Sequence, residues 1–157
     1  MLAVGDVVPD FTLLAGSKDG RVEITLSKEL AVGEVVLAFY PIAFSSTCTK
    51  QMCEIRDDLA NLRGLQARVL GFSTDAHHVN TAWARHEALD FPLLSDADAT
   101  VSKLYGVYKQ RNLYGKKFFG IERTTFVIDK TGRIAQIYPK VKVDGHIEEV
   151  LEFVRED

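Results

Sequence analysis

The hydrophobic pattern of the chain changes period several times, and each change marks an element. Glu34-Val35-Val36-Leu37-Ala38-Phe39-Tyr40 is almost continuously apolar, without the alternation of a half-exposed strand. Its length and its β-branched and aromatic content predict a central strand buried on both faces. From 47 to 63 the period becomes helical. Cys48, Met52, Ile55, Leu59 and Leu62 recur at intervals of four, three, four and three, while Arg56, Asp57, Asn61 and Arg63 fall elsewhere on the wheel. Ala67 to Phe72 predicts a second buried strand. His77 to Leu89 predicts a second helix with Val79, Trp83 and His86 along one side, making Trp83 a core residue and His86 a partly buried one.

Turn residues complete the outline. Residues 10–26 read as a β-hairpin turning at Asp19-Gly20, and 124–138 as another turning at Asp129-Lys130-Thr131-Gly132, with glycine supplying a positive φ. Phe91 to Leu94 is a short extended piece and Asp98 to Tyr105 a short helix. Residues 145–155 close the chain as a helix with Ile147, Val150, Leu151 and Val154 on its apolar stripe. Lys109, Arg111, Lys116, Lys117 and Arg123 make the stretch around Asn112 to Gly115 a solvated basic loop, or, with Leu113, Tyr114, Phe118 and Phe119 interleaved, a reductase or subunit contact. The order, β-hairpin, βαβα, short helix, β-hairpin, α, predicts an α/β fold: a mixed central sheet flanked by helices, with an N-terminal β-hairpin. No repeat or linker interrupts it, so residues 1–157 are expected to form a single domain.

Composition narrows the function. Of 157 residues, 46% are apolar and 26% charged, a mixture that supports a core without metal or disulfide staples. Nineteen basic against 22 acidic residues give a net charge of −3, which argues against nucleic-acid or anionic-lipid partners. The longest apolar run, Val35 to Phe44, contains Pro41 and is about half of what a membrane span needs. The start carries neither a basic n-region nor a long apolar h-region, so no secretory signal is expected, and the expected compartment is the cytoplasm. Only two cysteines are present, Cys48 and Cys53. Too few for a disulfide scaffold, they point to chemistry.

The segment Tyr40-Pro41-Ile42-Ala43-Phe44-Ser45-Ser46-Thr47-Cys48-Thr49-Lys50-Gln51-Met52-Cys53 puts Cys48 in the first turn of a helix. Unpaired N–H groups and the positive dipole end favour an anion such as a thiolate there. The Ser45 hydroxyl, three residues earlier, is within reach to donate to that sulfur or to its substrate. Cys53 lies on the same helix about 140° around and about 7.5 Å along. Disulfides need Cα atoms within about 6.8 Å, so the two cysteines cannot be bridged while the helix is intact. His77 and His78, neighbours on a helix, point about 100° apart and do not converge on a metal.

Pro41-x-x-x-Ser45-x-x-Cys48 resembles the Pro-x-x-x-Thr/Ser-x-x-Cys signature of the peroxiredoxins, thiol peroxidases with a thioredoxin-like fold. Phe91-Pro92-Leu93-Leu94-Ser95-Asp96, Tyr105-Gly106-Val107 and Arg123-Thr124-Thr125-Phe126-Val127-Ile128-Asp129 are similar to further segments of that family, in the same order. The likeness runs from Gly5 to about Tyr138. It implies a peroxidatic role for Cys48, an arginine at Arg123 holding the thiolate and the developing charge on the peroxide, a hydroxyl role for Ser45, and shielding by Pro41. Tyr40, Thr47 and Gln51 fall at pocket or supporting positions, with Gln51 where glutamate is frequent.

Cys53 matches the resolving cysteine of the bacterioferritin-comigratory (Q-type) group, whereas Pro41-Ile42-Ala43-Phe44 is closer to the E-type alkyl hydroperoxide reductases, which lack it. Resolution by Cys53 requires residues 47–54 to unwind. The resemblance implies reduction of hydrogen peroxide and organic hydroperoxides, recycling by thioredoxin or a similar dithiol, no metal, flavin or haem, and a monomer or small homodimer. A redox-sensing or holdase module, or a thiol–disulfide oxidoreductase on the same fold, are the competing functions. The second is weakened because Cys48-x₄-Cys53 is not Cys-x-x-Cys.

Overall fold

The structure, a computed structural model, describes residues 2–156; Met1 and Asp157, the ends of the expected 1–157 domain, lie outside the described residues. The chain opens with the predicted hairpin, β1 (Thr12–Ser17) and β2 (Gly20–Thr25), followed by a one-turn helix α1 (Leu26–Leu30). Then come β3 (Glu34–Phe39), α2 (Ser46–Gly64), β4 (Ala67–Ser73), α3 (His77–His86), β5 (Leu93–Ser95) and α4 (Thr100–Leu104). A ribbon of β6 (Tyr108–Leu113) and β7 (Lys116–Ile121) precedes β8 (Thr124–Ile128), β9 (Ile134–Tyr138) and α5 (His146–Glu156).

Seven strands form one mixed sheet in the order β2-β1-β5-β4-β3-β8-β9, and β6 and β7 pair apart from it. β3 lies at the centre, parallel to β4 and antiparallel to β8. Its continuous apolar run is explained by two cores. Val36, Ala38 and Tyr40 face one cluster with Met52, Leu59 and Leu62 of α2, Trp83 of α3 and Val150 of α5. Val35, Leu37 and Phe39 face the other, with Leu26 and Leu30 of α1, Val101 of α4 and the ring cluster of Phe11, Phe72, Tyr105 and Phe126. The residues of a strand alternate faces, and here both faces are covered by helices or hairpin. Burying each large side chain contributes about 1.5–3 kcal/mol relative to exposure, so α2 is held mainly by its stripe. Gly16 is required where α3 crosses β1: a Cβ there would meet the His77 carbonyl at 2.3 Å.

Three expectations are corrected. The basic stretch from 109 is a paired β-ribbon rather than a loop, closing at Tyr114 (φ 51°) and Gly115 (φ 79°), both left-handed as a tight two-residue hairpin demands. Its strands carry solvated lysines and arginines where a sheet strand would carry core residues, which hides the pairing from a hydrophobicity reading. α3 stops at His86 rather than Leu89, because Ala88 turns left-handed (φ 54°). His86 consequently sits at the exposed helix end, its side chain 73% accessible rather than partly buried. Trp83 is fully buried, as expected.

Candidate active site

Register assembles the site. Phe39 pairs with Thr124, so the residue before β8, Arg123, is brought level with Tyr40 at the end of β3, where the chain leaves for α2. The connecting loop is pinned by Asp75 beyond β4, whose carboxylate accepts from Ala43 N–H (2.8 Å) and from the Ser73 hydroxyl (2.9 Å). Phe44 takes a left-handed φ of 66°, uncommon for a bulky residue, and Ser45 then caps α2. The Ser45 Oγ accepts from Cys48 N–H and donates to the Ile42 carbonyl, both at 3.3 Å. This differs from the expected contact with sulfur: the hydroxyl is engaged in starting the helix on which Cys48 stands.

Cys48 is 1% exposed, and Arg123 Nη2 donates to its Sγ at 3.1 Å. Arg123 Nη1 donates to the side-chain Oε1 of Gln51 at 2.5 Å, and among the described residues the buried Gln51 Nε2 has no hydrogen-bond partner. A neutral amide at 51 orients the arginine without neutralising it, so its charge is directed at the sulfur. Tyr40 is fully buried, donates to Asn80 Oδ1 at 2.9 Å and packs on Trp83; burial pushes its phenol well above the usual range. Pro41 is half-buried and, with Arg123, Arg111, Lys140 and Val141, borders an open groove of about 390 Å³. Thr47 is exposed on the first turn, and among the described residues no side-chain partner holds it.

Cys48 and Cys53 are both free thiols within one unbroken helix, as the spacing requires. They have different partners. Cys53 donates to Glu87 Oε2 at 3.4 Å, just past the end of α3, and Arg56 Nη1 donates to the Glu87 carbonyl at 2.6 Å. Burial, and then the Glu87 carboxylate, push the Cys53 thiol up from its ordinary pKa. Asp75 and Glu87 were not singled out by sequence: each is an isolated acid in or beside a loop, with no spacing signal. Among the described residues no three His, Cys, Asp or Glu side chains group to hold a metal, and no helix is long and apolar enough to cross a membrane.

A buried thiol on a helix's first turn, faced by a guanidinium that donates to its sulfur, is a site for sulfur redox chemistry. Comparison with known proteins gives the class. The AhpC/TSA family pattern matches residues 4–137. Peroxiredoxin Bcp of Escherichia coli is 35% identical over 99% of this chain and 97% of its own. The crystal structure of Xylella fastidiosa PrxQ superposes with a TM-score of 0.91 at 31% identity, covering 99% of this chain and 97% of that one. The Xanthomonas campestris bacterioferritin comigratory protein, described for its alkyl peroxide reduction activity, superposes at 0.82 with 30% identity over 92% and 90%. The chain therefore belongs to the AhpC/TSA family: it has the thioredoxin-like fold and is a peroxiredoxin, a thiol-dependent peroxidase related to the Bcp and PrxQ proteins.

Proposed function

We propose that Cys48 is the peroxidatic cysteine, Cys53 the resolving cysteine and Arg123 the residue that stabilises the reacting sulfur and oxygen. The Cys48 thiolate attacks the terminal peroxide oxygen. A sulfur–oxygen bond forms, the O–O bond breaks, and water or an alcohol leaves after taking up a proton. The sulfur is oxidised to sulfenic acid. The fixed guanidinium holds the thiolate and the charge developing on the parting oxygens, Gln51 orients it, and Pro41 and Tyr40 shape the dry wall. Ser45 acts by building the helix terminus at Cys48. Thr47 has a supporting place on the same turn.

Residues 47–54 then unwind. Cys53 then closes a disulfide on the sulfenic acid, and thioredoxin or a similar dithiol returns both thiols. Hydrogen peroxide and organic hydroperoxides are the substrate class. The alkyl peroxide activity described for the Xanthomonas relative supports the second of these. A single domain spanning 1–157, working in the reducing cytoplasm as a monomer or small homodimer without nucleic-acid or membrane partners, completes the proposal. Two free thiols and the net charge of −3 support it.

The observation that carries the assignment is the 3.1 Å contact from Arg123 to the buried Cys48 sulfur. The test is peroxide-dependent NADPH oxidation coupled through thioredoxin and its reductase, with Cys48→Ser as control. Turnover by the natural chain and none by Cys48→Ser is expected. Turnover that survives Cys48→Ser overturns the assignment.

A further inference from the structure

The carboxylate of Glu87 contacts one cysteine of the pair and not the other. Cys53 projects from α2 toward the end of α3, where its thiol donates to Glu87 Oε2 at 3.4 Å. The second carboxylate oxygen is held by His86 Nδ1 at 3.0 Å, so the acid is fixed in place. One helical turn beyond Cys53, Arg56 donates to the Glu87 backbone carbonyl at 2.6 Å. Besides the Trp83–Thr49 contact, the first half of α2 is therefore fastened to the residue that ends α3 at two adjacent points: one through the Cys53 thiol, one through Arg56. Only the first uses the Glu87 side chain.

We infer that Glu87 is a positioning residue for the resolving step: it latches the Cys53 thiol against α3, and release of that latch sets how long the Cys48 sulfenic acid persists. The inference rests on Cys53 being the resolving cysteine. In the waiting state the carboxylate accepts the thiol hydrogen and opposes thiolate formation, since a carboxylate beside sulfur disfavours the charged form. The remaining charges around Cys53 are Arg56, which opposes this effect, and Asp57, which adds to it. For resolution Cys53 leaves Glu87 as residues 47–54 unwind. The thiol and the sulfenic acid then give a disulfide and water: the new S–S bond replaces the S–O bond, and the thiol hydrogen departs in the water. No other oxidant is consumed. A longer-lived sulfenic acid is also more open to a second peroxide, giving sulfinic acid. The latch thus couples the lifetime of the intermediate to the sensitivity of the enzyme to excess peroxide.

The chain's only tryptophan reports on the step, because Trp83 Nε1 donates to Thr49 Oγ1 inside the segment that must unwind. The experiment follows its fluorescence by stopped flow after mixing reduced enzyme with hydrogen peroxide, comparing the natural chain with Glu87→Ala and Glu87→Gln. Arg56 still binds the backbone carbonyl in both variants, so the helices remain docked. Circular dichroism of the reduced proteins checks this. The peroxide-dependent phase should keep its rate within about twofold, while the peroxide-independent phase accelerates at least about fivefold in Glu87→Ala and less in Glu87→Gln, which keeps an acceptor. In a Cys48→Ser background the pH midpoint for alkylation of Cys53 should move down in Glu87→Ala, a change that loosened packing alone does not specify. Sulfinic acid at high peroxide should fall in the same variant. A disulfide that closes at the natural rate or more slowly in Glu87→Ala, or an unmoved alkylation midpoint, overturns the latch alone. Absence of a Cys48–Cys53 disulfide in the natural chain overturns the assignment of Cys53 and the latch with it.

Discussion

Arg123 Nη2 stands 3.1 Å from the Sγ of Cys48, although 75 positions separate the two residues. The meeting is produced by β3 and β8 pairing with Phe39 opposite Thr124, which aligns a strand start with a helix start. Replacing Arg123 by Ala removes a preorganised charge-bearing donor, and the second-order rate with peroxide should fall about 10²–10³-fold. Arg123→Lys keeps the charge but cannot bind Gln51 and sulfur together, and should recover only part of that loss. Stopped-flow kinetics on the three proteins check the order.

Ser45 should behave as a helix cap before it behaves as a catalyst. Its oxygen accepts from Cys48 N–H while its hydrogen is directed to the Ile42 carbonyl. Ser45→Ala should therefore lower stability by about 1 kcal/mol, measured by urea unfolding of the reduced protein. Ser45→Asn, another good cap, should restore most of it. An equal loss in both variants would contradict the capping role.

The central strand and α2 were legible because their periods are unmistakable: an unbroken apolar run for a strand between two cores, and a four-three stripe for a helix on one. The β6–β7 ribbon was not, since Lys116, Lys117, Phe118 and Phe119 are all exposed and no core face marks its register. Within the site, helix-terminus chemistry made Cys48 a candidate, and the family resemblance around it separated it from a buried core cysteine. Arg123 by itself has the signature of any surface cation and stood out only through the family resemblance. Glu87 and Asp75 had no signal at all, because what makes them matter is a partner more than thirty residues away.

The buried hydrogen bond behind the thiol has a measurable worth. Tyr40→Phe removes the hydroxyl that donates to Asn80 Oδ1, leaving a fully buried acceptor without this donor. Unfolding experiments should show a loss of about 1–3 kcal/mol. Peroxide reactivity should change far less than in Arg123→Ala, since the Tyr40 hydroxyl is engaged with Asn80 whereas Arg123 donates to the sulfur.

Acid sensitivity should reside in part at His146. Burial lowers its pKa from the ordinary 6.5, while Glu149 and Glu148 oppose the shift and Arg123 adds to it. With the folded value below the unfolded one, the unfolded chain binds more protons in between. Stability is therefore full above about 6.5 and declines as pH falls from there toward the folded value. His146→Gln, which keeps a side chain able to hydrogen-bond Thr125 Oγ1, should flatten this decline. Urea midpoints at about pH 7.5 and about pH 5.5 provide the comparison.

Mass spectrometry of the reduced chain after one equivalent of hydrogen peroxide, with thiol labelling and peptide mapping, tests the central claim most directly. The natural chain should lose two hydrogens and yield a single cross-linked species joining the Cys48 and Cys53 peptides. Cys53→Ser should stop at a sulfenic acid on Cys48, and Cys48→Ser should remain unmodified. Oxidation that appears first on Cys53, or a Cys48 that still takes the thiol label at full yield, would contradict the account.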